Sequence, residues 1–430
     1  MAKAPERRWV VRAALALVIA CLVGGAVMRV LAIDDRFGPD EYAGGDVYRY
    51  YVSVARSFLD GDGWVTDYEW NFIPPPGQAA FLVLVPGLAP ATDYGDARAV
   101  QAAISILTIG LAFWVGFRMG GPAAGAAAAV LLALDRDVIA YVGILLAENN
   151  YFFLLFLFLA LLLEALRRRS PGWSFAAGVA LALASLTKPF PMLLALLVPA
   201  WLLARYRDRR ALRDGALLLA GFFLLVTPWL ARNWLRYDRV YPISTNAGTL
   251  MAQSNFPGLD PGDPDQVYWE SIYRTDRWKD PAIEAAFAGR VDRYGRPEWN
   301  EKDRAYMRHA LRYAAGHPSH FLRNYAIKLV NALRYPAPGP GERWRPSDLY
   351  RAALLLLGLP GLCWFAFRER TRSSWIMVPV ALYFLGFTAL MHIVRSGRIN
   401  LPLKLVLGLF AAWLLGRVCD RGAAWLRRRA

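Results

Sequence analysis

The sequence predicts an all-α polytopic membrane protein that crosses a bilayer about ten times. Three observations lead there. Apolar residues make up 56% of the 430-residue chain, and they fall in blocks long enough to span a hydrocarbon core as helices. The blocks lack the alternation of a barrel strand, and only helices or closed barrels satisfy the backbone inside lipid. Clusters of arginine then punctuate every second junction between blocks, as the positive-inside rule requires.

The first block, residues 9–33, is too long for the apolar part of a signal peptide, and no small-x-small site follows before Asp34. It is expected to be retained as a helix. Six more spans are expected at 98–118, 122–140, 147–166, 174–187, 190–205 and 215–233, and three at 350–368, 375–393 and 401–418. The stretch 174–187 is short and reads as a broken or tilted helix, with Lys188-Pro189 at its outer end. With ten spans, Lys3, Arg7 and Arg8, Arg118, Arg167-Arg168-Arg169, the cluster from Arg205 to Arg213, the cluster Arg368, Arg370 and Arg372, and the C-terminal arginines all share one side. That side is cytoplasmic and holds both termini, and the membrane is the inner (plasma) membrane of the cell envelope. The formal net charge of +16 is therefore a matter of topology, and no nucleic-acid partner is expected. Cys21, Cys363 and Cys419 are in or beside apolar spans without metal-ligand spacing, so they read as packing residues.

This topology divides the chain into an N-terminal transmembrane module, 1–233, whose first external loop is 34–97, an external loop or cap, 234–349, and C-terminal transmembrane helices, 350–430. The cap is rich in Pro, Gly, Trp and charge, with an amphipathic patch near 305–333.

The first external loop carries the acidic residues Asp34, Asp35, Asp40, Glu41, Asp46, Asp60, Asp62, Asp67 and Glu69. Apolar or aromatic residues recur at Val47, Tyr51, Val54, Ala55 and Phe58, which is a helical period. Asp46 falls at the start of this helix and Gly61 ends it. The helix is expected to lie flat on the outer surface, with the Asp46 carboxylate toward the mouth of the bundle. Periodicity alone favours a plain N-cap for Asp46. Ile73-Pro74-Pro75-Pro76-Gly77 then leads into a short apolar run that is a second surface helix or a re-entrant piece, and the prolines act as scaffolding.

Three basic features are expected at the outer face, where the charge rule places few: Lys188 in Thr187-Lys188-Pro189, Arg232-Asn233 at the end of the seventh span, and Arg395 and Arg398 before the last span. Each alone fits snorkelling to headgroups. Together, beside an acidic surface helix, they point to a lipid phosphate. Glu148 opens the fourth span, where the helix dipole favours a carboxylate and where it could also position a substrate. No metal cluster is apparent: His317 and His320 flank Pro318, and a pair is weak support for an ion.

At these residues the chain resembles the GT-C superfamily of polyprenyl-phosphate-sugar-dependent glycosyltransferases, in particular the protein O-mannosyltransferases and the lipid A aminoarabinose transferases. The likeness is carried by Asp46-x-Tyr48 through Ala55-Arg56 to Gly61, by Pro75-Pro76-Gly77, by Leu186-Thr187-Lys188-Pro189 with Thr227-Pro228-Trp229, Arg232-Asn233 and Ser244-Thr245-Asn246-Ala247-Gly248, and by Arg398-Ile399-Asn400-Leu401-Pro402. It does not extend to residues 256–349. The resemblance implies a GT-C-like bundle and transfer of a sugar, a hexose or pentose, from a polyprenyl-phosphate donor to a glycan, lipid or protein acceptor, with inversion. Asp46 is assigned as general base, with Asp40 and Glu41 as alternates, because many relatives carry an adjacent acidic pair and Asp46 is followed by Val47. Lys188, Arg232, Arg395 and Arg398 are assigned to the donor phosphate, and Tyr48, Glu148 and Asn233 to substrate positioning. No required cofactor or metal is expected, although relatives differ on a divalent ion. The competing reading is a transporter or flippase of a lipid-linked or anionic substrate. It predicts inverted repeats and charges near the midplane, and neither is evident in the sequence.

Overall fold

The computed structural model describes residues 4–33, 47–65, 73–85, 95–241, 243–262, 276–292, 298–334, 346–391 and 397–428. Among them every regular element is helical. The chain opens with α1 (Ala4–Leu31), followed by a π-helical stretch (Val47–Val52) that continues as α2 (Ser53–Leu59), and α3 (Pro76–Leu84). The main bundle is α4 (Gly95–Gly120), α5 (Pro122–Ala133), α6 (Arg136–Ala140), α7 (Glu148–Arg168), α8 (Pro171–Thr187), α9 (Leu194–Tyr206) and α10 (Arg209–Tyr237). The cap contributes α11 (Ala247–Ser254), α12 (Pro281–Phe287), α13 (Trp299–Gly316) and α14 (Pro318–Arg334). The chain returns to the bundle with α15 (Pro346–Arg368), a short 3₁₀ turn (Ser373–Ile376), α16 (Met377–Met391) and α17 (Gly397–Arg428).

Six of these are long and apolar enough to cross a membrane: α4, α7, α10, most of α15, the unit Ser373–Met391, and most of α17. Leu15–Leu31 within α1, and α5, α8 and α9, are apolar but shorter. The protein is a multi-pass membrane protein, and these helices occupy the segments expected to span. One expected span is different in kind. Residues 122–140 are not one helix: α5 stops at Ala133, and Asp135 caps a separate α6 by accepting hydrogen bonds from the Asp137 and Val138 amides at 3.0 and 3.3 Å. At 1.5 Å per residue, α5 is only about 18 Å long.

α7 is the centre of the bundle. Phe152, Leu155, Phe158, Ala160 and Leu163 are buried, and Leu154, Leu157 and Leu161 on the remaining side are partly buried against the core, so apolar residues surround it. A helix apolar all round must have neighbours on every side; it packs on α4 and α8, and α8 in turn on α10. The α8–α10 contact is backbone to backbone. A methyl group at Gly178 would lie 2.0 Å from the Leu218 carbonyl oxygen, and one at Gly221 would lie 2.3 Å from that of Phe175. Small residues allow such approach where lipid supplies no hydrophobic drive between helices.

The two ends of the bundle differ in charge. At one end Glu164 binds Arg118, Arg167 and Arg168, Arg169 binds Asp208 and Asp214, and Glu369 binds Arg372 and Arg417. The opposite end receives α2, α3 and the cap helices, and is called the cap end below.

Candidate functional site

The cap end is assembled around the start of α7. Glu148 is the first residue of α7, where the unpaired amides and the helix dipole favour a carboxylate. Lys188 is the C-cap of α8, in extended backbone, and Pro189 prevents the helix from continuing. α7 and α8 pack side by side, which brings the Lys188 ammonium 2.6 Å from a Glu148 carboxylate oxygen. Glu148 is fully buried and Lys188 is 9% exposed. The ammonium also lies over the Phe190 ring, 5.5 Å from its centre.

The first-loop helices dock on this turn. Gly77 touches Thr187 so closely that a methyl group there would lie 2.4 Å from the threonine hydroxyl. Gln78, wholly buried, donates to the Leu145 carbonyl at 3.0 Å and accepts from Asn150 at 2.8 Å. Tyr51, Val52, Ala55, Ala79 and Leu82 form one apolar cluster with Leu145, Leu146 and Ala147. The Pro-rich approach to α3 thus sets that helix against the ends of α7 and α8.

Arg232 joins the same assembly from the end of α10. It donates to the Trp64 carbonyl in the first loop and, at 2.8 Å, to the Asn233 side-chain oxygen, and it lies 5.0 Å from the centre of the Trp229 ring. Asn233 is completely buried, and its side-chain nitrogen has no hydrogen-bond partner among the described residues. The cap is tied in through Thr245, which accepts from the Ile73 amide at 2.8 Å and donates to Asn300 at 2.6 Å. Asp303, beneath the start of α11, accepts from the Gly248 and Thr249 amides, and burial pushes its carboxyl up to about 6.

Of the residues chosen from sequence, the structure therefore brings Glu148 and Lys188 together, places Arg232 against the first loop, and buries Asn233 beside Arg232. Asp40, Glu41, Asp46 and Arg395 lie outside the described residues, as do the side chains of Tyr48 and Arg398. Among the described residues no three His, Cys, Asp or Glu side chains converge as a metal site.

One constellation escaped the sequence reading. Lys404 lies 2.8 Å from Asp135 and 2.6 Å from Asp137. Arg351 binds Asp137 and, at 3.1 Å, Asp348. Arg29, fully buried, donates to Ser105 and to the carbonyls of Gly25, Leu132 and Ala133. These charges bind the cap-end portions of α1, α5, α6, α15 and α17 to one another. The signal was present as Asp135-x-Asp137, and as Arg29 and Lys404 inside apolar runs, because ionisable residues within a span need partners.

Residues 29–236 match the family described as dolichyl-phosphate-mannose-protein mannosyltransferase. The chain superposes on the archaeal oligosaccharyltransferase AglB from Archaeoglobus fulgidus, solved in complex with an inhibitory peptide and a dolichol-phosphate. The TM-score is 0.58 at 15% identity, over 96% of this chain and 51% of that one. The chain has a GT-C fold. The Archaeoglobus fulgidus oligosaccharyltransferase tethered to an acceptor peptide containing the NVT sequon gives a TM-score of 0.54 at 16% identity, over 94% of this chain and 50% of that one. Its apo form gives 0.54 at 16% identity, over 96% and 52%. The chain thus spans about half the length of these solved structures. No curated protein matches it. The GT-C fold expected from the motifs is the fold observed, and the matched family segment runs from the end of α1 through Arg232 and Asn233 to the end of α10.

Proposed function

We propose that this protein is a glycosyltransferase of the extracytoplasmic face that moves a sugar from a polyprenyl phosphate to an acceptor hydroxyl or amine. The observation that carries the reading is the convergence at the cap end. Lys188 and Glu148 pair at 2.6 Å where α3 docks, and Arg232 reaches back to Trp64 of the first loop. The family match over this segment and the GT-C fold support the same reading.

In the proposed reaction, Asp46 takes the proton as the acceptor oxygen or nitrogen attacks the anomeric carbon, with Asp40 and Glu41 as alternates. The new bond to the acceptor forms as the bond from the sugar to the phosphate oxygen breaks, and the configuration inverts. A phosphate leaves without protonation, so one carboxylate suffices where a glycosidase needs two. Lys188, Arg232, Arg395 and Arg398 stabilise the charge that develops on the phosphate. Glu148 acts through Lys188, holding its ammonium in place. Tyr48 and Asn233 position the substrate, and the buried Asn233 side-chain nitrogen, without a hydrogen-bond partner among the described residues, is a donor suited to that task.

The lipid tail lies between helices, and the Arg-rich end faces the cytoplasm with both termini. The test is transfer from a synthetic polyprenyl-phosphate sugar by Asp46→Asn in liposomes. Loss of turnover with retained donor binding is the expected result, and unchanged turnover rules Asp46 out.

A further inference from the structure

The cap helix α14 turns a polar stripe inward beside the apolar Phe321, Ala332 and Leu333. Asn324 and Lys328 are only 4% and 3% exposed. Asn324 donates to the Leu259 carbonyl at 2.9 Å, Lys328 to the Ser254 carbonyl at 3.0 Å and the Asn255 side chain at 2.9 Å, and Asn331 to the Pro261 carbonyl at 2.8 Å. These donors are spaced one helical turn apart and supply the carbonyls of the segment that follows α11, which no neighbouring ladder satisfies. The outward stripe, one turn apart again, is Leu322, Ala326 and Val330, flanked by Arg323. Leu322 is 61% and Val330 43% exposed. A helix above the membrane in water would carry these two stripes the other way round.

Its depth is set by a neighbour. The Tyr325 hydroxyl donates to the Gly386 carbonyl of α16 at 3.2 Å. Gly386 is five residues before the end of that spanning helix, about 8 Å along its axis from the cap end. Asn255 reaches the Leu390 carbonyl, Phe321 packs on the same apolar cluster as Leu390 and Met391, and Leu333 touches the bundle core. α14 therefore runs beside the last turns of a spanning helix, on which Leu382 is also exposed.

We propose that α14 is embedded in the lipid leaflet at the cap end, with Leu322, Ala326 and Val330 against acyl chains and Arg323, which also lies 4.0 Å from Asp260, at headgroup level. The occupant of this face is bilayer lipid. The polar stripe then makes α14 a bracket that fixes the segment 254–261 to the membrane surface.

The experiment uses the full chain in nanodiscs, with its three native cysteines replaced and single nitroxides at Leu322→Cys and Val330→Cys. Leu382→Cys reports a lipid-facing site, and Ala288→Cys in the cap, exposed, reports water. Collision with oxygen and with a water-soluble nickel chelate is measured by power saturation. Labels at 322 and 330 are expected to match Leu382→Cys, favouring oxygen several-fold over the chelate. A match to Ala288→Cys places the face in water and overturns the proposal. Shielding from both reagents shows a protein, including a second copy, on this face and overturns it equally. The readout needs no donor sugar, so it stands or falls apart from the transferase reading.

Discussion

Replacing Lys188 by methionine removes one half of a buried ion pair. At 2.6 Å and an effective dielectric of about 20, the attraction between the two charges is on the order of 6 kcal/mol. Desolvation opposes it by several kcal/mol per ion, so the intact pair is worth little against a neutral one. Breaking the pair is different: Glu148, with no exposed surface, would keep its charge without its cation. Lys188→Met and Glu148→Gln should each cost about 3–5 kcal/mol. The double variant should cost clearly less than the sum, by about 2–3 kcal/mol. The assay is a double-mutant cycle on reversible unfolding in mixed detergent micelles, run beside donor titrations of the folded variants. Donor affinity should fall more for Lys188→Met than for Glu148→Gln, which keeps the cation. Single-variant costs that simply add, within about 0.5 kcal/mol, would refute the coupling, and with it the view that Glu148 acts through Lys188.

Gly178→Ala should lower stability by about 3 kcal/mol, because the added methyl meets the Leu218 backbone and α8 must move off α10. Gly172→Ala, in the same helix with nothing within 4 Å, should be neutral, and melting temperatures compare the two. Burial pushes Lys328 down to about 7 from an ordinary value of 10.5, so above pH 7 the unfolded chain binds a proton that the folded chain lacks. Stability should therefore rise by about 1.4 kcal/mol per unit between pH 7 and about 10.5 and be flat outside that window. Lys328→Met should abolish that slope in hydrogen exchange of α14 measured between pH 6.5 and 9.

The membrane architecture was legible from sequence because lipid imposes it locally. Twenty apolar residues must form a helix wherever they occur, and arginine clusters orient the spans one by one. Glu148, Lys188, Arg232 and Asn233 could be singled out for the same reason, since each sits where a span ends. Three-dimensional packing decided the rest. That Lys188 meets Glu148, 40 residues away, follows from the packing of α7 on α8. That Asp135 and Asp137 meet Lys404, some 270 residues away, requires α17 to pack on α5. The break at Ala133 was missed because the apolar run resumes at Val138-Ile139-Ala140, so the expected span runs through Asp135, which in the structure caps a separate helix. The polar face of α14 was likewise legible as a helical period, but its direction was not. Amphipathicity gives two faces, and only the carbonyls of Ser254, Leu259 and Pro261 determine which one turns inward.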